Sequence, residues 1–440
     1  MNPIGLFLVV ATTLFPAYQL SQLPNVADQT ALFSQYLGLA ALILMAWGQI
    51  WATRLPGVEA LFGGMDRVYI LHKWAGILAM LAILVHDTID AEMDGLGRET
   101  ALTELAETLG EISLYALLIL VVISVATFIP YHLWKWSHKA MGAFFAAGAF
   151  HFVFIMKPFA MSDPAGLYAG VFCAAGIAAY LWTLLPETMR PSRGYTVSNL
   201  QKTGDALAIT MTPDAKGLRP TPGQFGVVSF TGAGKPEPHP FSFSKIDADG
   251  ALRVTVKALG DFTHGLRSSL EVGQSVRIQG PFGRFRLPRK GPQVWVAGGI
   301  GVTPFLAWAA ALEADAAPAH LFYCVRDREE APHLAEIETL AAAKSNLTLH
   351  LMVSKEGKRL TPDHLAETVG PGISTMRLSF CGPVALRKAL QTGLRRYGVT
   401  PRQFHYEEFE FRTGIGLKRL AAWVLDRTRQ QGSLTKSRQS

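Results

Sequence analysis

Residues 72–86, HKWAGILAMLAILVH, and residues 138–151, HKAMGAFFAAGAFH, decide how the chain is read. Each is an apolar stretch closed at both ends by histidine: His72 and His86 in the first, His138 and His151 in the second. An ionisable side chain inside an apolar membrane segment is expensive and by default marks function. At 1.5 Å per residue the two pairs are about 21 and about 20 Å apart along their helices. Two imidazoles at each of two matching depths form the pattern of axial ligands for two stacked haems, His72 with His138 and His86 with His151. At about 100° per residue, fourteen residues return to within about 40° of the starting face, whereas thirteen miss it by about 140°. The second segment is therefore expected to bend, bulge or present its imidazoles from different sides, which Gly142 and Gly148 would permit.

About 20 apolar residues span a bilayer, and six candidates precede residue 186, at about 3–21, 30–53, 68–90, 110–130, 138–157 and 164–185. The first lacks a charged n-region and a small-residue cleavage pattern, which argues against a removed signal peptide. Basic residues gather near Arg54 and Arg67, in the YHLWKWSHK connection at Lys135 and Lys139, and after the sixth segment at Arg190, Arg193 and Lys202. The connection from Asp87 to Glu111 is acidic apart from Arg98. Positive-inside logic puts the basic loops, both termini and everything after residue 186 in the cytoplasm, with the acidic loop outside. Beside Tyr131, Trp134 and Trp136, His132 reads as an interface anchor rather than a ligand.

The chain has 440 residues, a net charge of +7 and 17% charged residues, with a mean hydropathy of +0.22. The apolar content is concentrated before residue 186, so a membrane half precedes a water-soluble one. Juxtamembrane lysine and arginine account for the positive charge, and nucleic-acid binding is excluded. Cys173, Cys324 and Cys381 show no paired spacing, so neither a disulfide framework nor a thiolate metal site is expected.

After a linker with Pro186, Pro191 and Gly194, short alternating stretches (ALAITMTP, FGVVSF, LRVTVKAL, SVRIQG) read as an antiparallel barrel. It contains His239-Pro240-Phe241-Ser242, then Phe262-Thr263-His264-Gly265-Leu266, then Gly280-Pro281-Phe282-Gly283. QVWVAGGIGVTPFLAWAAAL follows as a buried strand, a glycine turn and a helix. Gly298, Gly299 and Gly301 allow close backbone approach, and the helix start can receive a phosphate. The turn is not G-x-G-x-x-G, so the Rossmann fingerprint is not invoked. HLFYCVRD, LTLHLMVS and LSFCGP continue an α/β pattern.

HPFS, FTHGL, VAGGIGVTPF and FCGP resemble, in order and spacing, the ferredoxin–NADP reductase superfamily. With the histidine quartet, residues 1–412 resemble the NADPH oxidase and ferric reductase family, particularly its bacterial members. The resemblance implies a multidomain membrane protein. A six-helix transmembrane di-haem bundle (1–186) would precede an antiparallel β-barrel FAD domain (193–288), an α/β NAD(P)-binding domain (291–412) and a basic tail (413–440). His239, Pro240, Phe241 and Ser242 would lie along the flavin, Ser242 at its N5 edge. Phe262 belongs to the same flavin site, and Thr263 with the backbone beside it would meet the FAD pyrophosphate; read alone, Thr263 is a helix cap. Gly298, Gly299, Gly301, Thr303 and Pro304 would bracket the dinucleotide, with Cys381, Gly382 and Pro383 near the nicotinamide; read alone, Cys381 is a buried apolar residue. Arg326 stands where the family's NADPH users place a cation for the 2′-phosphate, which favours NADPH over NADH. Family members commonly end at an aromatic residue that covers the flavin; here the chain runs on, with Phe409 and Phe411 both available.

The expected activity is transfer of electrons from cytoplasmic NAD(P)H through FAD and two b-type haems to oxygen or a ferric chelate outside a bacterial inner membrane. The alternative is an electron-donating membrane subunit for a periplasmic protein partner.

Overall fold

The computed structural model describes residues 2–23, 28–55, 57–89, 99–125, 129, 131–186, 189–230 and 237–406. Two compact units divide between Leu185 and Pro186, with residues 64–66 grouped with the second. Phe409, Phe411, the 413–440 tail and residues 90–98 of the acidic connection lie outside the described residues, as does the side chain of His132.

The first unit is helical: α1 (Pro3–Ser21), α2 (Gln29–Ala52), the short α3 (Val58–Phe62), α4 (Met65–Thr88), α5 (Thr103–Val125), α6 (Tyr131–Phe154) and α7 (Pro164–Leu184). Five of the six long helices have the length and hydropathy of a membrane span. The sixth, α6, is diluted by Lys135, Lys139 and its histidines. Asp28 caps α2, accepting from the Thr30 N–H at 2.8 Å. The most enclosed of the five spans is α2, with Leu39, Leu42 and Ala46 packed against Phe145 and Ala149 of α6 and Ala169 and Cys173 of α7.

Two boundaries differ from the sequence reading. YHLWKWSHK is the opening of α6 and not a connection; it contains neither glycine nor proline, so nothing in it stops a helix. α5 starts at Thr103, so Glu104, Glu107 and Glu111 are helical rather than loop residues. An acid in the first turn complements the helix dipole, which is why acidity here did not mean a loop.

The second unit opens with β1 (Arg193–Thr203), β2 (Ala206–Pro213), β3 (Phe225–Phe230), β4 (His239–Ile246), β5 (Leu252–Lys257), α8 (Asp261–Ser269) and β6 (Ser275–Phe282). The strands close into an antiparallel barrel in the order β1-β2-β5-β4-β3-β6. Alternate residues such as Tyr195, Val197, Ile209, Met211, Val254 and Val256 fill its core. The chain continues through β7 (Gln293–Gly298), α9 (Thr303–Ala311), β8 (Ala319–Val325), α10 (Leu334–Ala342), β9 (Leu347–Val353), α11 (Pro362–Val369), β10 (Arg377–Cys381), α12 (Val384–Gly393) and β11 (Phe404–Tyr406). These strands form a parallel sheet ordered β11-β10-β7-β8-β9. Every residue of β7 is buried, as expected for a central strand covered on both faces. The strand order reverses beside β7, so the carboxyl ends of β7 and β10 flank the point where open α/β sheets bind ligands.

Candidate functional site: paired imidazoles and the meeting of two glycine turns

Each of the four membrane histidines is held through Nδ1. His72 Nδ1 lies 3.1 Å from the Gly48 carbonyl oxygen, His86 Nδ1 lies 2.8 Å from the Ser34 carbonyl oxygen, and His151 Nδ1 lies 2.9 Å from the Ala106 carbonyl oxygen. A carbonyl only accepts, so these rings carry their proton on Nδ1. His138 Nδ1 lies 3.0 Å from Ser124 Oγ, and that hydroxyl already donates to the Leu120 carbonyl at 2.7 Å. The serine therefore accepts, and His138 too is the Nδ1–H tautomer. The four Nε2 atoms are left with bare lone pairs and, among the described residues, no hydrogen-bond partner. Pinning one ring nitrogen in this way aims the other and makes it more basic, as a metal-ligating histidine requires.

The anchors are supplied by helices that carry no ligand candidate of their own. α2 holds both histidines of α4, and α5 holds both histidines of α6. This resolves the thirteen-residue spacing: α6 is one uninterrupted helix, and its two imidazoles leave it from different sides to reach different turns of α5. The His72 and His138 ring centres are 5.7 Å apart. With a metal–imidazole bond of about 2.0 Å and about 1.1 Å from nitrogen to ring centre, two imidazoles that would share one metal need a span of about 6 Å. The residues present thus fit a group held between paired imidazoles. Among the described residues no three His, Cys, Asp or Glu side chains gather into another kind of metal site.

In the second unit the two barrel motifs meet. The His239 ring stacks on Phe262 at 3.9 Å and 16°, and His239 Nε2 pairs with Glu237 at 3.3 Å. Pro240 and Phe241 are half-buried beside it and Ser242 is buried. The Thr263 hydroxyl accepts from the Leu259 and Gly260 N–H groups at 2.9 and 3.0 Å. It is thereby committed to the start of its own helix, α8.

At the end of β7 the glycine turn is wedged against the turn that ends β10. A Cβ on Gly298 would lie 2.5 Å from Pro383 Cδ, and one on Gly301 would strike the Cys381 carbonyl. Thr303 and Pro304 open α9 immediately afterwards, and the Thr303 hydroxyl donates to the Ile300 carbonyl at 3.1 Å. Gly298, Gly299, Gly301, Thr303, Pro304, Cys381, Gly382 and Pro383 therefore gather where the carboxyl ends of β7 and β10 meet. Arg326 follows β8 and is exposed, with no ion-pair partner among the described residues. Its neighbour Asp327 is taken by Lys355 at 2.5 Å. None of the three cysteines is in a disulfide, and burial pushes the Cys324 thiol up to about 12, so it is no nucleophile at neutral pH.

Residues 37–149 match the ferric reductase like transmembrane component, residues 192–296 an FAD-binding domain and residues 295–392 the oxidoreductase NAD-binding domain. The chain has the architecture of the ferric reductase and NADPH oxidase family. It is an oxidoreductase with FAD- and NAD-binding domains behind a multi-pass membrane domain. Among curated proteins it is 32% identical, over 44% of its length and 62% of the relative's, to the ferredoxin–NAD(P)(+) reductase component of a Ralstonia naphthalene dioxygenase and salicylate hydroxylase system. It is 28% identical, over 43% of its length and 58% of the relative's, to a Pseudomonas putida toluate dioxygenase electron transfer component. The chain thus spans less than two thirds of these relatives. Among solved structures, the Amycolatopsis cytochrome P450 reductase is similar over 50% of this chain and 71% of its own, with a TM-score of 0.44 and 24% identity.

Sequence reasoning missed the anchors Ser34, Gly48, Ala106 and Ser124. Gly110 was missed as well: a Cβ there would lie 2.5 Å from His151 Nδ1. A glycine or serine in an apolar helix was the only available signal, and small residues are frequent in membrane helices for packing alone.

Proposed function

We propose that the protein carries electrons from cytoplasmic NAD(P)H across the membrane to oxygen or a ferric chelate on the outer face, using FAD and two b-type haems. The reading rests above all on the four imidazoles pinned through Nδ1, with the His72 and His138 ring centres 5.7 Å apart, in a domain that precedes FAD- and NAD-binding domains. His72 with His138 would hold the inner haem, and His86 with His151 the outer one. When bound, FAD converts hydride transfer into single-electron transfer and bis-histidine haem conveys single electrons.

The chain's own residues do the rest. His239, Pro240, Phe241 and Ser242 give the flavin a wall, stiffened by the stack of His239 on Phe262. The start of α8, held in place by Thr263, receives the pyrophosphate. Gly298, Gly299 and Gly301 let the dinucleotide backbone approach, Thr303 and Pro304 present the start of α9 to its phosphates, and Cys381, Gly382 and Pro383 close over the nicotinamide. Arg326 offers a planar fork to a 2′-phosphate, which favours NADPH. Two curated relatives carry electron-transfer names, one of them specifying NAD(P)(+), in agreement with this donor. Basic residues flanking the membrane half support a cytoplasmic position for the soluble domains.

Purified protein should yield two protohaems per flavin by pyridine haemochrome, and anaerobic NADPH should bleach the flavin and reduce both haems. Protein that stays without a Soret band when expressed with ample haem overturns the reading. NADPH-driven cytochrome c reduction then separates the acceptors: inhibition by superoxide dismutase means oxygen, and insensitivity means direct reduction.

A further inference from the structure

Five side chains close a ring of hydrogen bonds where the barrel meets the nucleotide-binding sheet. Arg253 Nε donates to Ser244 Oγ at 3.0 Å. Ser244 Oγ is 3.1 Å from Thr255 Oγ1, which is 2.8 Å from His333 Nε2. His333 Nδ1 donates to Glu336 Oε2 at 2.8 Å, and Arg253 Nη2 donates to Glu336 Oε1 at 2.8 Å. The Ser244 hydroxyl, which accepts from Arg253 Nε, also lies 3.2 Å from the Arg253 carbonyl oxygen, to which it donates. The Glu336 carboxylate accepts from both His333 and Arg253, so a cation and a carboxylate stand side by side in the ring. Ser244, Arg253, Thr255 and His333 are all buried.

The ring joins two parts of the reaction site. Ser244 sits in the bulge of β4 opposite β5, between Phe243 and Lys245, two residues beyond Ser242. Bulges beside active sites re-aim a strand. On the other side, His333 begins α10 seven residues after Arg326. It is held at φ 56°, a conformation histidine adopts only when its surroundings impose it. Its N–H donates to Thr203 Oγ1 at 2.6 Å, and the Tyr323 hydroxyl of β8 donates to the Pro332 carbonyl at 2.7 Å. A buried ion pair of this kind adds little stability beyond what an apolar cluster of the same shape would give. What a fully satisfied polar ring does supply is one fixed geometry.

We infer that this ring is a positioning device for hydride transfer, locking the flavin-facing strand β4 to the segment that follows Arg326 and so setting how the nicotinamide meets the flavin. The inference rests on the function proposed above. An error on the order of 1 Å in the approach of reacting atoms can lower a rate by about 10²-fold.

Two variants of the full-length protein break the ring gently. Thr255→Val removes one hydroxyl at constant shape. His333→Asn keeps a residue that tolerates positive φ but is too short to bridge Thr255 and Glu336. Anaerobic stopped-flow mixing with NADPH reads the limiting flavin-reduction rate per bound FAD and the apparent Kd. The rate should fall by about tenfold in each variant, with Kd within about twofold, FAD content unchanged and the double variant no slower than the worse single one. Independently of turnover, amide exchange in β4 and at the start of α10 should rise together in both. A per-flavin rate within twofold of the parent, a loss arising wholly through Kd, or exchange that rises on one side of the ring alone would each overturn the inference. If NADPH fails to reduce the parent's flavin, the proposed function falls, and the exchange experiment still decides whether the ring locks the two segments.

Discussion

Gly110→Ala should remove one haem and leave the other. A methyl at position 110 would stand 2.5 Å from His151 Nδ1, 2.9 Å from Cε1 and 3.0 Å from Cγ. Ordinary contact needs about 3.5 Å, so the ring must retreat by about 1 Å. That retreat stretches the bond to the Ala106 carbonyl from 2.9 Å to nearly 4 Å, outside hydrogen-bonding range. Overpacking of this size costs about 1–3 kcal/mol, and loss of an anchor of this kind weakens a metal site about 10–100-fold. The two figures agree, since about 1.4 kcal/mol is tenfold. Gly48→Ala is the control: its methyl would lie 3.6 Å from His72 Nδ1 and 3.7 Å from Cε1, which is normal packing. Pyridine haemochrome against FAD should read about one haem per flavin in Gly110→Ala and two in Gly48→Ala, and potentiometric titration of the α-band should lose a single component. Two haems per flavin in Gly110→Ala, with an unchanged titration, would refute the assignment of His151 and the anchoring argument together.

His72→Leu or His138→Leu should leave NADPH-driven flavin bleaching intact while abolishing haem reduction; both haem signals surviving in both variants would contradict the ligand pairing. Arg326→Ala should raise the KM for NADPH by about tenfold and leave that for NADH within about twofold; equal effects on both nucleotides would show that no 2′-phosphate contact exists. In His405, burial and then the Arg377 guanidinium hold the imidazole down at about 4. The unfolded chain binds the proton more readily, so folding loses stability as pH falls from about 6.5 toward about 4 and regains it on the way up. His405→Gln should flatten that slope in thermal melts followed by FAD release; an unchanged slope would remove His405 as its source.

What could be read from the sequence divides along a physical line. Periodicity and punctuation are local, and they were enough for the membrane half, the barrel and the parallel sheet, because burying an apolar face leaves its mark every two or 3.6 residues. The histidine pairs were legible for the same reason: an ionisable group in an apolar run is conspicuous. The geometry around them was not. Nothing about Ser34 announces that its carbonyl will meet His86 fifty-two residues later, and Ala106 contributes only a backbone oxygen, which every residue has. Thr263 shows the converse. Its position in FTHGL suggested a ligand contact or a cap, and the hydroxyl is committed to the helix start, so any part it has in binding is through the turn it holds in place. The short strand β11 (Phe404–Tyr406) escaped because three residues carry too little pattern to stand out; it exists only because β10 lends it an edge to pair with.

The same contrast explains why α2 and α5 deserve as much mutational effort as the histidine-bearing helices. A liganding imidazole needs its lone pair on Nε2 and its ring plane fixed, and a helix cannot impose either on its own side chains at two depths when thirteen or fourteen residues separate them. A neighbouring helix can, because its anchoring groups are free to sit at whatever turn the ring happens to reach. Ser124 meets His138 near one end of α5 and Ala106 meets His151 near the other, eighteen residues apart on the anchor against thirteen between the rings. Eighteen residues make about five full turns, so both anchors lie on the same side of α5 although the rings are thirteen residues apart on α6. It follows that shifting the anchor while leaving the ligand in place, as in Ser124→Ala, should loosen the inner haem and broaden its spectrum without touching the outer one. If the inner signal stays as sharp as in the parent, the ring is held by α6 alone and the division of labour between the helices is wrong.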